Sequence, residues 1–106
     1  MSRPLRIEYE GAVYHITARG NERRAIFRDG EDFKKFVGIL EDIKNQGLLI
    51  IYAYVLMENH YHLLVETPEG NLSKMMHDLQ TRYTVYFNNR HSRVGHLFQG
   101  RYKAFV

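Results

Sequence analysis

No cysteine occurs in the 106 residues, so neither a disulfide framework nor a thiolate metal site is available, and the composition fits a reducing compartment. Proline is present only as Pro4 and Pro68, each where a loop is expected, and no Pro/Ser-rich linker, low-complexity stretch or internal repeat divides the chain. Long hydrophobic runs are lacking too. The longest, Leu48 to Met57, is half of a membrane span of ~20 residues, and Met1-Ser2-Arg3-Pro4-Leu5-Arg6 has no apolar signal core. The expectation is a soluble cytoplasmic protein with no membrane partner. With 44% apolar and 13% aromatic content, residues 1–106 suffice for one compact core and are too few for two ordinary domains.

Charge is unevenly distributed. Residues 31–71 carry Lys34, Lys35 and Lys44 against seven acids, whereas residues 72–106 carry Lys74, Arg82, Arg90, Arg93, Arg101 and Lys103 against Asp78 alone. In this last third the cations alternate with Tyr83, Tyr86, Phe87, Phe98 and Tyr102, a mixture suited to neutralising phosphates and stacking on exposed bases. An ordinary solvated basic face over core aromatics explains the same composition equally well.

Hydrophobic periodicity predicts a strand over residues 12–18, ending at Gly20-Asn21, and a basic loop from Arg19 to Arg28. Phe33, Phe36, Val37, Leu40 and Ile43 then recur at helical spacing behind the acidic start Glu31-Asp32, with Gly47 as the stop. The continuous apolar run over 48–57 reads as a central strand, and Glu58-Asn59 turns it into a second strand over 60–66. After Pro68-Glu69-Gly70, Asn71 caps a second helix whose stripe is Leu72, Met75, Met76, Leu79, Tyr83 and Tyr86. A loop over 88–95 leads to a last strand from Leu97 or Phe98 to Val106. The expected fold is α+β: a ferredoxin-like βαββαβ sandwich with an antiparallel sheet and two helices on one face. Because this scaffold hosts unrelated chemistries, function has to be argued from a site.

The candidate site is His60-Tyr61-His62. Alternation along a strand points both imidazoles to one face and Tyr61, Leu63 and Val65 to the other, toward the helices. Two neutral rings so placed can share one divalent ion and leave coordination positions open, as phosphoryl chemistry needs. A lone His-x-His is by itself more often a pair of ordinary polar residues. Here it follows a tight turn and precedes the cationic, aromatic-rich segment.

Three separated segments carry a resemblance: Tyr14-His15-Ile16-Thr17-Ala18-Arg19-Gly20-Asn21, Met57-Glu58-Asn59-His60-Tyr61-His62-Leu63-Leu64, and Gly95-His96-Leu97-Phe98-Gln99-Gly100-Arg101-Tyr102-Lys103. In order and spacing they resemble REP-associated and related insertion-sequence transposases, the single-tyrosine branch of the HUH endonuclease superfamily, from about residue 3 to the end. The resemblance implies a ferredoxin-like nuclease domain in which His60 and His62 ligate Mg²⁺ or Mn²⁺, with hairpin-bearing single-stranded DNA as partner. It also implies a tyrosine hydroxyl that attacks a phosphodiester to form a 5′-phosphotyrosine link in DNA transposition. That tyrosine belongs to a further helix after Gly100-Arg101-Tyr102-Lys103, with a polar third ligand one turn beyond it. The chain is therefore expected to stop before its nucleophile, and to bind but not cut. The family includes monomers and homodimers, and an unpaired sheet edge permits either.

Of the tyrosines present, Tyr83 and Tyr86 are weak candidates for the nucleophile, since their place on the helical stripe favours core packing. Arg19, Arg23, Arg24, Arg90, Arg93, Arg101 and Lys103 are the expected DNA contacts, more to backbone than to bases. His15 reads equally as a polar neighbour of the site or a satisfied strand histidine. Two competing functions remain open. A two-histidine RNA phosphoesterase would use His15-Ile16-Thr17 but needs the motif twice, and His60-Tyr61-His62 lacks the hydroxyl residue. A non-catalytic single-stranded nucleic-acid-binding module would use the same fold without metal.

Overall fold

The computed structural model describes residues 8–106; Pro4 and the Met1 to Arg6 segment discussed above lie outside the described residues. Strand β1 (Ala12–Arg19) runs into a 3-10 turn (Asn21–Arg23) and then helix α1 (Gly30–Asn45). Strands β2 (Ile50–Met57) and β3 (His60–Thr67) form a hairpin, followed by helix α2 (Leu72–His91) and a short β4 (Lys103–Phe105). The sheet order is β2-β3-β1-β4 with every neighbouring pair antiparallel. This is the expected βαββαβ sandwich.

Period-two alternation builds its core. Tyr14, Ile16 and Ala18 from β1 and Tyr61, Leu63 and Val65 from β3 are buried together with Phe36, Ile39, Leu40 and Ile43 of α1 and Met75, Met76, Leu79, Tyr83 and Phe87 of α2. The intervening strand residues, including His15, Arg19, His60 and His62, face away from the helices, so one sheet face is left open. The Tyr61 ring packs 4.9 Å from that of Phe36, and its buried hydroxyl accepts a 2.8 Å bond from Gln80 Nε2, anchoring β3 to both helices.

Helix α1 starts where the Asp29 carboxylate accepts from the backbone N–H groups of Glu31 and Asp32. It ends as expected at Gly47, whose φ of +78° allows Gly47 N and Leu48 N to reach back to the carbonyls of Lys44 and Ile43. The start of α2 differs from expectation. The Asn71 side chain makes no capping bond; instead the Glu8 carboxylate takes the Ser73 N–H at 2.8 Å and the Ser73 hydroxyl at 2.6 Å. A carboxylate brought in from the chain start satisfies this helix end better than a neutral amide could.

Three other expectations are corrected. The run over 48–57 is an edge strand, not a central one: β1 and β3 occupy the middle of the sheet. Ile50, Tyr52, Tyr54, Val55 and Met57 remain exposed. Tyr52 stands at a bulge between Ile51 and Ala53, with its hydroxyl donating to Glu66 Oε1 at 2.6 Å. An apolar run signals burial on both faces only when other layers cover both faces of the sheet, and that depends on the tertiary arrangement. The last strand is also shorter than residues 97–106. Leu97, Phe98 and Tyr102 turn inward onto the core, Gly100 adopts φ +57°, and only Lys103–Phe105 pairs with β1 beyond an isolated bridge from Phe98 to Gly20. Helix α2 runs through 88–91, where a loop was expected, and ends at Ser92 in the left-handed region.

Candidate functional site

The open ends of β1 and β3, the β2–β3 turn and the segment before β4 converge at one corner of the exposed sheet face. Gly20 N donates to Asn59 O and Gln99 N to Arg19 O, at 2.9 and 2.8 Å, and Asn21 N donates to Leu97 O at 2.8 Å. These backbone bonds enclose a cleft of about 430 Å³ lined by Thr17, Ala18, Arg19, His60, His62, Gln99, Arg101 and Lys103. None of the lining residues is acidic. The register explains why they meet: Arg19 lies opposite His60, Thr17 opposite His62, and Lys103 opposite Thr17.

His60 and His62 emerge side by side on the open face, as alternation predicts, with ring centroids 5.2 Å apart and planes nearly perpendicular. His60 Nδ1 lies 2.9 Å from Asn59 Oδ1. His62 Nδ1 lies 3.1 Å from His15 Nε2. Partial burial, with smaller contributions from the His60 and His15 rings, lowers the His62 pKa from its ordinary value and favours the neutral ring a metal ligand requires. No group of three His, Cys, Asp or Glu side chains suited to an ion is found among the described residues. The donor set here is thus two imidazoles, with the side chains of Thr17 and Gln99 in the same cleft. Such a set fits an exchangeable divalent cation with open positions better than a closed structural site.

The seven expected DNA contacts separate. Arg19, Arg101 and Lys103 line the cleft. Arg23 and Arg24 sit on or just after the 3-10 turn beside it; Asn59 Nδ2 donates to Arg23 O at 3.4 Å, and Arg24 pairs with exposed Glu22 at 3.0 Å. Arg93 is half-buried beyond the end of α2, away from the cleft lining. Arg90 is placed elsewhere. Its guanidinium bridges Asp29, at 2.6 and 2.8 Å, and the fully buried Asp32 at 2.8 Å, so it joins α2 to α1 and is not presented at the cleft.

Asp32 also accepts from Arg28 N, Tyr86 Oη and His91 Nε2, each at 2.9 Å. Burial raises its pKa, yet the hydrogen bonds from Arg28, Arg90, Tyr86 and His91 outweigh it and hold the carboxyl below its ordinary range. Asp29 is drawn down to about 2, chiefly by its hydrogen bond from Arg90.

Neither tyrosine proposed as a weak nucleophile reaches the cleft. Tyr83 is fully buried with its hydroxyl donated to the Ile26 carbonyl, and burial, reinforced by Asp32, pushes its pKa well upward. Tyr86 is held by Asp32, and burial followed by that carboxylate raises its pKa too. No tyrosine among the described residues lines the cleft. Gln99 was not read as a site residue from the sequence; Thr17, considered only within the His15-Ile16-Thr17 motif, lines the cleft with it, and of the two readings of His15 its contact with His62 makes it a polar neighbour of the site. His15, Thr17 and Arg19 alternate along β1 and share a face, but their approach to His62 depends on the β1–β3 register.

Residues 8–106 match the family model for IS200-like transposases. No curated protein matches the sequence. Among solved structures, a REP-associated tyrosine transposase bound to a REP hairpin is similar, with a TM-score of 0.80 at 18% identity over 99% of this chain; the chain spans 61% of that protein. A protein from Deinococcus radiodurans R1 proposed to be a transposase, with a crystal structure at 1.90 Å, aligns with a TM-score of 0.70 at 20% identity, over 100% of this chain and 84% of its own. At these identities the structural likeness speaks for the fold. No helix among the described residues is long and apolar enough to cross a membrane. The match over residues 8–106 shows that the chain belongs to the IS200-like transposase family.

Proposed function

We propose that the chain holds a hairpin-bearing single-stranded DNA substrate of transposition in the cleft beneath His60 and His62, with Mg²⁺ or Mn²⁺ as cofactor. The observation that carries this reading is the meeting of two half-buried imidazoles with Arg19, Arg101 and Lys103 in a cleft free of carboxylates. In this reading His60 and His62 hold the cation, which when bound supplies Lewis-acid polarisation of a phosphodiester. Arg19, Arg101 and Lys103 neutralise the phosphate and fix the strand's register, while Arg23 and Arg24 extend the cationic rim. Thr17 and Gln99 are available to accept or donate hydrogen bonds at the same phosphate.

Cleavage and rejoining through a 5′-phosphotyrosine requires a hydroxyl in line with that phosphate. Since no tyrosine among the described residues lines the cleft, we assign the attacking group to a source outside these 106 residues and expect this chain alone to bind without cutting. A cytoplasmic location accords with the reading. A homodimer does too, because the outer edge of β2 has no strand partner among the described residues and bears the exposed Val55 and Met57.

Fluorescence anisotropy with a labelled hairpin oligonucleotide carrying a single-stranded flank tests the proposal. Saturable, salt-sensitive binding that is altered by chelation of the divalent ion is the expected result. Affinity indifferent to metal and to His60→Ala and His62→Ala supports a metal-free binding module instead, the second reading that the lack of a tyrosine in the cleft favours. Cleavage of RNA that survives chelation supports a two-histidine phosphoesterase.

A further inference from the structure

The two imidazoles of the cleft are not equivalently supported. Asn59 Nδ2 donates to the Arg23 carbonyl, which turns the amide oxygen toward His60 Nδ1 at 2.9 Å. An amide oxygen only accepts, so His60 carries its proton on Nδ1 and keeps an Nε2 lone pair. Among the described residues His62 is given no such oxygen. Its Nδ1 meets His15 Nε2 at 3.1 Å, a contact that two neutral imidazoles can make in either of two ways. If His15 donates, the His62 proton sits on Nε2 and the ring has no lone pair left for a cation. If His15 accepts, His62 is protonated on Nδ1 and its Nε2 is free, matching His60.

We propose that His15 is a positioning residue for His62, accepting the His62 Nδ1 proton on its own Nε2 so that the His62 Nε2 lone pair is directed to the divalent ion. The geometry is suited to it. The His15 and His62 rings lie within 19° of parallel with centroids 5.3 Å apart, and Phe105 on β4 flanks His15 at 6.4 Å. The β1–β3 register, with Thr17 opposite His62 and Leu64 opposite His15, makes the two histidines diagonal neighbours on the open face. Asn59 and His15 are thus chemically different devices that orient two ligands alike, as outer partners of metal-bound histidines do. The role rests on the reading of His60 and His62 as metal ligands.

Mn²⁺ binding followed by electron paramagnetic resonance, on the full chain, separates the two claims. His15→Ala should weaken Mn²⁺ affinity about tenfold or more, with an unchanged melting curve. His15→Gln, whose side-chain oxygen can accept the same proton, should recover most of it, and His15→Phe, which offers a ring without an acceptor, should not. Nitrogen-15 spectra of the histidine rings with Mg²⁺, at a pH well above the imidazole range, should show His62 protonated on Nδ1. Undiminished binding by His15→Ala, with binding lost in His62→Ala, removes the role of His15 and leaves the metal pair standing. Equal binding by the wild type and His62→Ala sinks the metal pair and the role of His15 with it. Loss in His15→Ala as complete as in His62→Ala, without rescue by Gln, makes His15 a ligand and overturns its positioning role.

Discussion

Arg90 reaches back 58 residues along the chain to set its guanidinium 2.8 Å from the carboxylate of Asp32, which is fully buried. With Tyr86 and His91 on the same carboxylate, this contact locks the C-terminal end of α2 onto the N-terminal end of α1. Removing the buried acceptor leaves several donors unsatisfied at once. Asp32→Ala should therefore cost about 3 kcal/mol, read from urea denaturation.

Acid should act on the same knot. Both Asp29 and Asp32 have folded-state pKa values below their ordinary 3.8, Asp29 at about 2. A depressed carboxylate contributes stability that is fully present above its unfolded pKa and is lost as pH falls through the folded one. Melting temperature should hold down to about pH 4 and fall between there and pH 2, with the fall shallower in Arg90→Ala. A curve of the same shape in that variant would exclude the Arg90 bridge as its source.

Arg90 and the cleft cations should separate in DNA binding. Arg101→Ala and Lys103→Ala are expected to weaken hairpin oligonucleotide binding and to reduce the slope of log affinity against log salt by about 0.7 to 1 each. Arg90→Ala should lower the melting temperature and leave the salt slope unchanged. The check is anisotropy across a salt series beside calorimetry of each variant.

Tyr83→Phe removes the donor to the Ile26 carbonyl and should destabilise the fold by about 1 to 2 kcal/mol. Oligonucleotide affinity should be unaffected, because the ring lies under the sheet and outside the cleft. Loss of DNA binding without loss of stability would contradict this assignment.

Gly20→Ala tests how the cleft corner is built. A Cβ there would stand 2.1 Å from the Arg24 carbonyl oxygen and 3.0 Å from Ile26 Cγ2, so the turn after β1 would have to open. The expected cost is about 2 kcal/mol, accompanied by weaker DNA binding as the Arg19–Gln99 and Gly20–Asn59 backbone pairs shift. Thermal melting and anisotropy on one preparation measure both.

The histidine pair was legible in the sequence because strand alternation is local: once His60 to Thr67 is a strand, the side of His60 and His62 follows from the pleat. Gly47 as a helix stop was legible for a similar reason, its left-handed φ being cheap only for glycine. The bridge made by Arg90 was not legible because its charge marks it as a phosphate contact equally well, and the buried Asp32 that captures it lies in a different helix. Glu8 as the cap of α2 was invisible, since only the closed fold brings it to Ser73.

What the sequence determined by itself was the succession of strands and helices, the face each presents, and the family to which the motifs belong, all carried by patterns of a few residues. Tertiary structure alone decided that β2 is an edge, that Arg19, Arg101 and Lys103 gather around the imidazoles while Arg90 does not, and that His15 touches His62. Those outcomes depend on strand register and helix packing. They join residues distant in the chain, whose meeting is settled by the global burial of apolar surface and not by local conformational preference.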